Sequence, residues 1–398
     1  MDITIYPGKL SGEITVIPSK SQAHRLLICA AFADGPTRLH CPETNRDIEA
    51  TAHCLNALGA QISRDAGGYT VFPVSAIPET AELNCHDSGS TLRFLLPVCG
   101  ALGVDTTFHL EGRLPQRPLS PLWEEMERMG CRLSRPTENT IRCQGKLRAG
   151  NYQIDGSVSS QFITGLLLST ALITGDSRIH LTGKVESRPY ITMTQQAMAR
   201  FGRNTEDFAI HGGKPYHTPG EVRVEGDWSN GAFFLAAQAL GSDLIVKNLN
   251  SHSFQGDRAA SELIPVLAEP ITISAADIPD LVPILSVVAA CRKGAVFTDI
   301  QRLRLKESDR VASVIAMLEA LGGQAEATED TLTVYGTGLL GGRVDSMNDH
   351  RIAMSAAIAA TVCRNPVIIL GAHCADKSYP QFFEEYRRLG GKYEQYLR

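Results

Sequence analysis

Leu55-Asn56-Ala57-Leu58-Gly59 reads as the last turn of an amphipathic helix closed by glycine, the residue best suited to the left-handed position after a helix. The pattern returns at Met126 to Gly130, Met198 to Gly202, Leu318 to Gly322 and Tyr386 to Gly390, and without its glycine at Leu263 to Ala268. Between these copies lie six stretches that are apolar or small on nearly every face. They run over Ala23–Phe32, Leu92–Leu102, Phe162–Ile173, Ala232–Leu240, Leu281–Cys291 and Ile352–Val362. A helix apolar all round is a buried helix, and each stretch is followed by a short break and a β-branched run such as Asp243-Leu244-Ile245-Val246-Lys247. The chain of 398 residues thus reads as six copies of buried helix, strand, amphipathic helix and strand, about 66 residues each. The expected class is α/β, in two domains of three units.

Every buried helix begins in a polar segment. These are Pro18 to Gln22, Asp87 to Thr91, Gly156 to Gln161, Gly226 to Asn230, Asp277 to Asp280 and Ser346 to His350. Ordinary N-capping requires such residues. Pseudo-symmetric units would in addition aim these helix N-termini alike, and free N–H groups there attract anions. Lys20, Ser21 and Arg25 surround the first of these starts, Arg93 follows Gly89-Ser90-Thr91, and Arg351 follows Asn348-Asp349-His350. Further cations occur in the loop Arg113–Arg117, in the run Arg304 to Arg310, and at Lys377. Cations at helix N-termini oppose the dipole, so a bound anion would account for several of them together.

The totals exclude other classes. With 38 basic and 43 acidic residues the formal charge is −5, and no Lys/Arg block favours nucleic acid. The longest apolar runs fall short of the ~20 residues of a membrane span. Ten scattered cysteines, with no Cys-x-x-Cys pair, suit reduced thiols in the cytoplasm. Gly336-Thr337-Gly338-Leu339-Leu340-Gly341 matches G-x-G-x-x-G, but an extended segment follows where a dinucleotide site needs a helix.

With these residues assembled, the chain resembles the EPSP synthase family of enolpyruvyl transferases. The likeness runs from Pro18-Ser19-Lys20-Ser21 to Lys377-Ser378-Tyr379-Pro380 and is most specific at Val158 to Phe162, Leu305 to Arg310 and Asn348 to Met354. The resemblance implies an inside-out α/β barrel type of fold: two pseudo-threefold domains, each with buried parallel helices and surface sheets. Residues 1–18 would join 226–398 in one domain and 19–225 would form the other, with hinges near Ser19 and Gly226. It implies transfer of the enolpyruvyl group of phosphoenolpyruvate to the 5-hydroxyl of shikimate 3-phosphate, with domain closure. It also implies a monomer that requires neither cofactor nor metal.

By the same resemblance Lys20, Ser21, Arg25, Ser159, Ser160, Gln161, Ser187, Tyr190, Asp280 and Lys306 contact shikimate 3-phosphate. Lys20, Gly89, Arg93, Arg117, Gln161, Arg310, His350, Arg351 and Lys377 serve phosphoenolpyruvate. Two phosphates and two carboxylates bring roughly −6 of charge, which this cation set offsets. Asp280 is the candidate base for the 5-hydroxyl and Glu307 the candidate acid for the methylene carbon, with Lys20 and Lys377 beside the reacting groups. Two plainer readings stand beside these: Asp280 as an N-cap, and Glu307 as an ion-pair partner in a charged helix. Asp87, Phe94 and Arg302 depart from the family's usual residues and bear on substrate fit. The sister family acting on UDP-N-acetylglucosamine typically has Lys-Asn at Lys20-Ser21 and a cysteine near Gly112–Pro118, and this chain has neither.

Overall fold

A computed structural model of the chain describes residues 1–396. The contacts divide into two compact α/β units, Pro18–Glu225 and Met1–Ile17 together with the chain from Gly226 onward. In the first unit the buried helices are Lys20–Ala31, Gly89–Leu102 and Ser160–Thr170. In the second they are Trp228–Ala239, Val282–Ala290 and His350–Ala359. Almost all their side chains are inaccessible to water, and each large apolar one removed from it contributes about 1.5–3 kcal/mol. Gly165 lets two of these helices approach: a β-carbon there would lie 2.2 Å from the Arg93 carbonyl oxygen.

Five of the six helices begin two to four residues earlier than their apolar stretches predict, because the polar starts supply both the cap and the first turn. Ser19, Ser88, Ser159, Asp227 and Asp349 each accept a hydrogen bond from a backbone N–H of that turn. The sixth helix, Val282–Ala290, has Leu281 at its N-cap and no side-chain cap bond. At the other helix class, Gly59, Gly130, Gly202, Gly322 and Gly390 all have φ between 71° and 119°. They follow the helices Arg46–Ala57, Leu122–Arg128, Arg188–Arg200, Arg310–Ala320 and Phe382–Arg388.

The repeat is most visible in the sheets. Thr80–His86 pairs in parallel with Asp105–Leu110, whose other edge pairs antiparallel with Thr140–Gly145 and through it with Cys131–Ser134. Ile271–Ser274, Ala295–Thr298, Thr331–Tyr335 and Gln324–Ala327 reproduce that order. Two more sheets keep it by borrowing distant chain. Glu221–Arg223 supplies the parallel neighbour of Thr37–His40. Asp2–Tyr6 lies between Val367–Leu370 and Lys392–Tyr396. The remaining sheets have three strands and two. Strands such as Thr80–His86 alternate exposed and buried residues, so each sheet turns one face to its helices and one to water. Among the described residues none of the six sheets closes into a barrel. The Gly336–Gly341 stretch leads from Thr331–Tyr335 into the strand Gly342–Asp345, with no helix between. No helix among the described residues is long and apolar enough to cross a membrane.

Candidate functional site

In the unit Pro18–Glu225 most sequence-predicted residues lie in the first turns of its three buried helices, with Arg117 in a loop and Ser187 and Tyr190 at the start of the helix Arg188–Arg200. Lys20 opens the first, and its ammonium is 3.0 Å from Asp47 Oδ2. Arg25 lies one turn deeper and is buried. Its Nε donates to Thr194 Oγ1 at 2.8 Å, Nη1 to the Ser21 carbonyl at 2.6 Å, and Nη2 to Thr164 Oγ1 and the Tyr190 carbonyl. The guanidinium also stands 4.9 Å from the ring centre of Phe94, one of the residues that depart from the family pattern. Burial lowers the Arg25 pKa to about 10, yet the group remains charged at neutral pH.

Gln161 ties the second and third helices together. Its Oε1 accepts from Arg93 Nη1 at 3.1 Å and its Nε2 donates to Ser90 Oγ at 3.0 Å. Arg93 Nη2 also donates to the Pro118 carbonyl. The guanidiniums of Arg93 and Arg117 pass so close over Gly89 that a β-carbon there would meet them at 2.6 and 2.8 Å. Ser159 caps the third helix and Ser160 begins it. Ser187, buried, precedes the helix bearing Tyr190 with φ of 55°, a conformation that costs a non-glycine residue energy and recurs at functional positions.

The second unit builds its group around one arginine. Arg310, buried, donates from Nε to Asp349 Oδ2 at 2.9 Å, from Nη1 to Asp280 Oδ1 at 2.5 Å, and from Nη2 to Glu307 Oε2 at 2.7 Å. Asp349 also caps its helix and accepts from Ser308 Oγ at 3.0 Å. Asp280 further holds Arg351, with 3.3 Å between Oδ2 and Nη2, and Lys306 at 3.7 Å. Burial disfavours the Asp280 charge, but Arg351, Lys306 and Arg310 overcome it and hold the carboxyl well below the usual carboxylate range. Burial pushes Lys306 down to about 8 against the pull of Asp280, helped by the nearby Arg310 and by Arg302. His350 and Arg351 lie buried in the first turn of their helix, and Lys377, also buried, ends the 3-10 segment Ala372–Lys377.

Asp280 precedes a buried helix whose N-cap is Leu281, and it turns its carboxylate to cations. Glu307 does ion-pair with Arg310, but from a bend between the 3-10 segment Gln301–Leu305 and the helix Arg310–Ala320 rather than from within a charged helix. The geometry adds residues that sequence reasoning passed over. Asp47 partners Lys20 and carried only the signal of an acid in a helix's first turn. Thr164 and Thr194 orient Arg25 from two separate helices and carried none. Asp349 lay in a quoted motif, where a cap was its whole reading.

Comparison with known proteins follows this arrangement. A family model described as EPSP synthase (3-phosphoshikimate 1-carboxyvinyltransferase) matches residues 5–386. A 3-phosphoshikimate 1-carboxyvinyltransferase of Clostridium beijerinckii is 36% identical over 430 aligned positions, covering 99% of both chains. One from Clostridioides difficile is 34% identical, covering 99% of this chain and 98% of its own. A solved structure of EPSP synthase from Acinetobacter baumannii superposes with a TM-score of 0.81 at 23% identity, over 99% of this chain and 100% of that one.

Proposed function

Because the chain belongs to the EPSP synthase family, the 3-phosphoshikimate 1-carboxyvinyltransferases, we propose that its two groups of polar residues act on one pair of substrates. The reaction is transfer of a carboxyvinyl group to 3-phosphoshikimate. Phosphoenolpyruvate donates the group to the 5-hydroxyl through a tetrahedral adduct, and phosphate leaves.

Asp280 takes the hydroxyl proton. In the free protein Arg310, Arg351 and Lys306 suppress its basicity; substrate phosphate and carboxylate groups that engage Arg351 and Lys306 relieve that suppression and raise its affinity for a proton. Glu307 protonates the methylene carbon and takes the proton back during elimination, held in place by Arg310. Lys20, Arg93, Arg117, Arg351 and Lys377 bind the phosphoenolpyruvate anion, with His350 and Gly89 beside them, and Lys377 assists the departing phosphate. Ser21, Arg25, Ser159, Ser160, Gln161, Ser187, Tyr190 and Lys306 bind shikimate 3-phosphate. Fixed cations and helix N-termini supply the electrostatics where charge develops.

The observation that carries this reading is Asp280, a helix-leading carboxylate that meets three cations, Lys306, Arg310 and Arg351. The two domains proposed are residues 1–18 with 226–398, and 19–225. Paired bonds beside the crossovers, Asp227 N–H to the Ile17 carbonyl and Ser19 N–H to the Glu225 carbonyl, support hinges near Ser19 and Gly226. The enzyme is taken as a cytoplasmic monomer; its ten free cysteines, nine of them buried, suit a reducing compartment. Incubation with shikimate 3-phosphate and phosphoenolpyruvate is expected to release phosphate. Release with UDP-N-acetylglucosamine in place of shikimate 3-phosphate, and none with that substrate, would overturn the assignment.

A further inference from the structure

Beneath the helix starts of Pro18–Glu225 runs a chain of polar side chains that the proposed reaction does not use. His24, Thr51, Thr91 and Ser88 are all wholly buried. His24 Nδ1 is 2.7 Å from Thr51 Oγ1, Thr51 Oγ1 is 2.8 Å from Thr91 Oγ1, and Thr91 Oγ1 donates to Ser88 Oγ at 2.8 Å. Each member lies one turn below a residue already described. His24 follows Lys20 by four positions, and Thr51 follows Asp47, the partner of Lys20, by four. Thr91 follows by three Ser88, the cap of the helix that carries Gly89 and Arg93.

The protons along this chain follow one order. A hydroxyl has a single proton to donate. Thr91 spends its own on Ser88, with the Asp47 carbonyl a longer second acceptor at 3.4 Å. Thr51 therefore donates to Thr91, and its oxygen accepts from His24, which makes the ring the Nδ1–H tautomer. The other ring nitrogen fits that choice. Among the described residues Nε2 has no hydrogen-bond partner, and a bare buried acceptor is tolerated better than a bare N–H. Burial lowers the His24 pKa to about 3, so the ring is neutral and has one N–H to give. The chain thus joins three helices, Lys20–Ala31, Arg46–Ala57 and Gly89–Leu102.

Arg25 is braced by a different set. Thr164, Thr194 and the Tyr190 carbonyl hold it, and the two threonine hydroxyls are themselves 2.7 Å apart. Lys20 instead meets Asp47 at 3.0 Å, and the helix of Asp47 is tied to that of Gly89 through Thr51 and Thr91. We propose that Thr51, between His24 and Thr91, is a positioning residue for phosphoenolpyruvate: the ordered chain sets the spacing of Lys20 on one helix from Gly89 and Arg93 on another. This rests on the assignment of those three residues to that substrate. An anion held from two helices loses contacts as soon as they spread, and a misplacement of about 1 Å can cost about a hundredfold.

Thr51→Val nearly keeps the shape of the side chain and removes its bonds to His24 and Thr91. Its KM for phosphoenolpyruvate is expected to rise about fivefold to thirtyfold. The KM for shikimate 3-phosphate, whose Arg25 is braced elsewhere, should stay within about twofold. Thr51→Ser gives up a buried methyl group but keeps the hydroxyl, so it should lose stability in urea and retain the wild-type KM, which a purely structural role would not produce. Thr51→Val combined with Thr91→Val should raise the phosphoenolpyruvate KM little beyond either change alone, as links of one chain do. Nitrogen-15 NMR of His24 in the wild-type protein at neutral pH, which depends on no variant folding, should show Nδ1 protonated and Nε2 bare. An unchanged phosphoenolpyruvate KM in Thr51→Val, an equal rise for both substrates, additive effects in the double variant, a serine variant with the KM of the valine one, or His24 protonated on Nε2 overturns the inference. Phosphate release by the wild type would in each case leave the functional assignment standing. No phosphate release by the wild type overturns both.

Discussion

The two groups of polar residues treat their buried arginines Arg25 and Arg310 in opposite ways. In Pro18–Glu225, Arg25 is held by two threonine hydroxyls and two carbonyls, and Arg93 is oriented by the Gln161 amide and the Pro118 carbonyl. Neutral acceptors fix a guanidinium in place without cancelling its charge, so that charge stays available to a ligand. In the other unit Arg310 meets three carboxylates and Arg351 a fourth contact through Asp280. There the cations hold acids in defined protonation states, and an incoming anion must compete for them. In the proposed reaction the first group attracts the substrates and the second handles protons.

The largest expected effect separates these roles directly. Glu307→Gln removes the proposed proton carrier and keeps a group able to hydrogen-bond Arg310, so kcat for phosphate release should fall about 10²–10⁴-fold with KM nearly unchanged. Near-native turnover would assign Glu307 to ion pairing alone. Next comes stability. Arg310→Met takes a cation from Glu307 and Asp349 and leaves Asp280 with Arg351 and Lys306, and is expected to cost about 3–5 kcal/mol in urea unfolding. Arg25→Met strands only neutral acceptors, so a loss of about 1–3 kcal/mol is expected. Equal losses would erase the distinction drawn above.

A third test concerns attraction alone. Gly89→Ala places a methyl group against the Arg93 and Arg117 guanidiniums, so the KM for phosphoenolpyruvate should rise about tenfold to a hundredfold, equivalent to about 1.4–2.8 kcal/mol, while kcat moves less. The smallest effect is a pH dependence. Lys306 is pushed down to about 8, so between there and the ordinary lysine value the free enzyme progressively loses a cation that should contact shikimate 3-phosphate. Its KM should rise a few-fold above pH ~8, and Lys306→Arg should flatten that rise because guanidinium keeps its proton. The same shift has a stability sign: the unfolded chain binds the proton more tightly, so the cost of burying Lys306 is present below pH about 8 and fades as pH climbs toward the ordinary lysine range.

Much of the architecture was legible because its signals are local. Apolar residues on every face mark the buried helices, Ser19, Ser88 and Ser159 announce their starts, and Gly59 or Gly322 their neighbours' ends. Helix starts were read late because the apolar period begins only after the first turn. Sheet membership was illegible for the opposite reason: the pairing of Thr37–His40 with Glu221–Arg223 spans most of a unit and leaves no mark in either segment. In the candidate site the cations stood out by opposing helix dipoles. Their orienting partners did not, since Thr164 and Thr194 look like any helix-interior threonine.

The strand Asp2–Tyr6, enclosed between Val367–Leu370 and Lys392–Tyr396, sets a schedule for biosynthesis. That strand is synthesised well before both of its partners, and at ~5–20 residues per second the interval is about 20–80 s. Pro18–Glu225 holds its own core and contacts and is complete long before. Ile3 and Ile5, both buried in the finished protein, therefore wait through that interval for partners not yet translated.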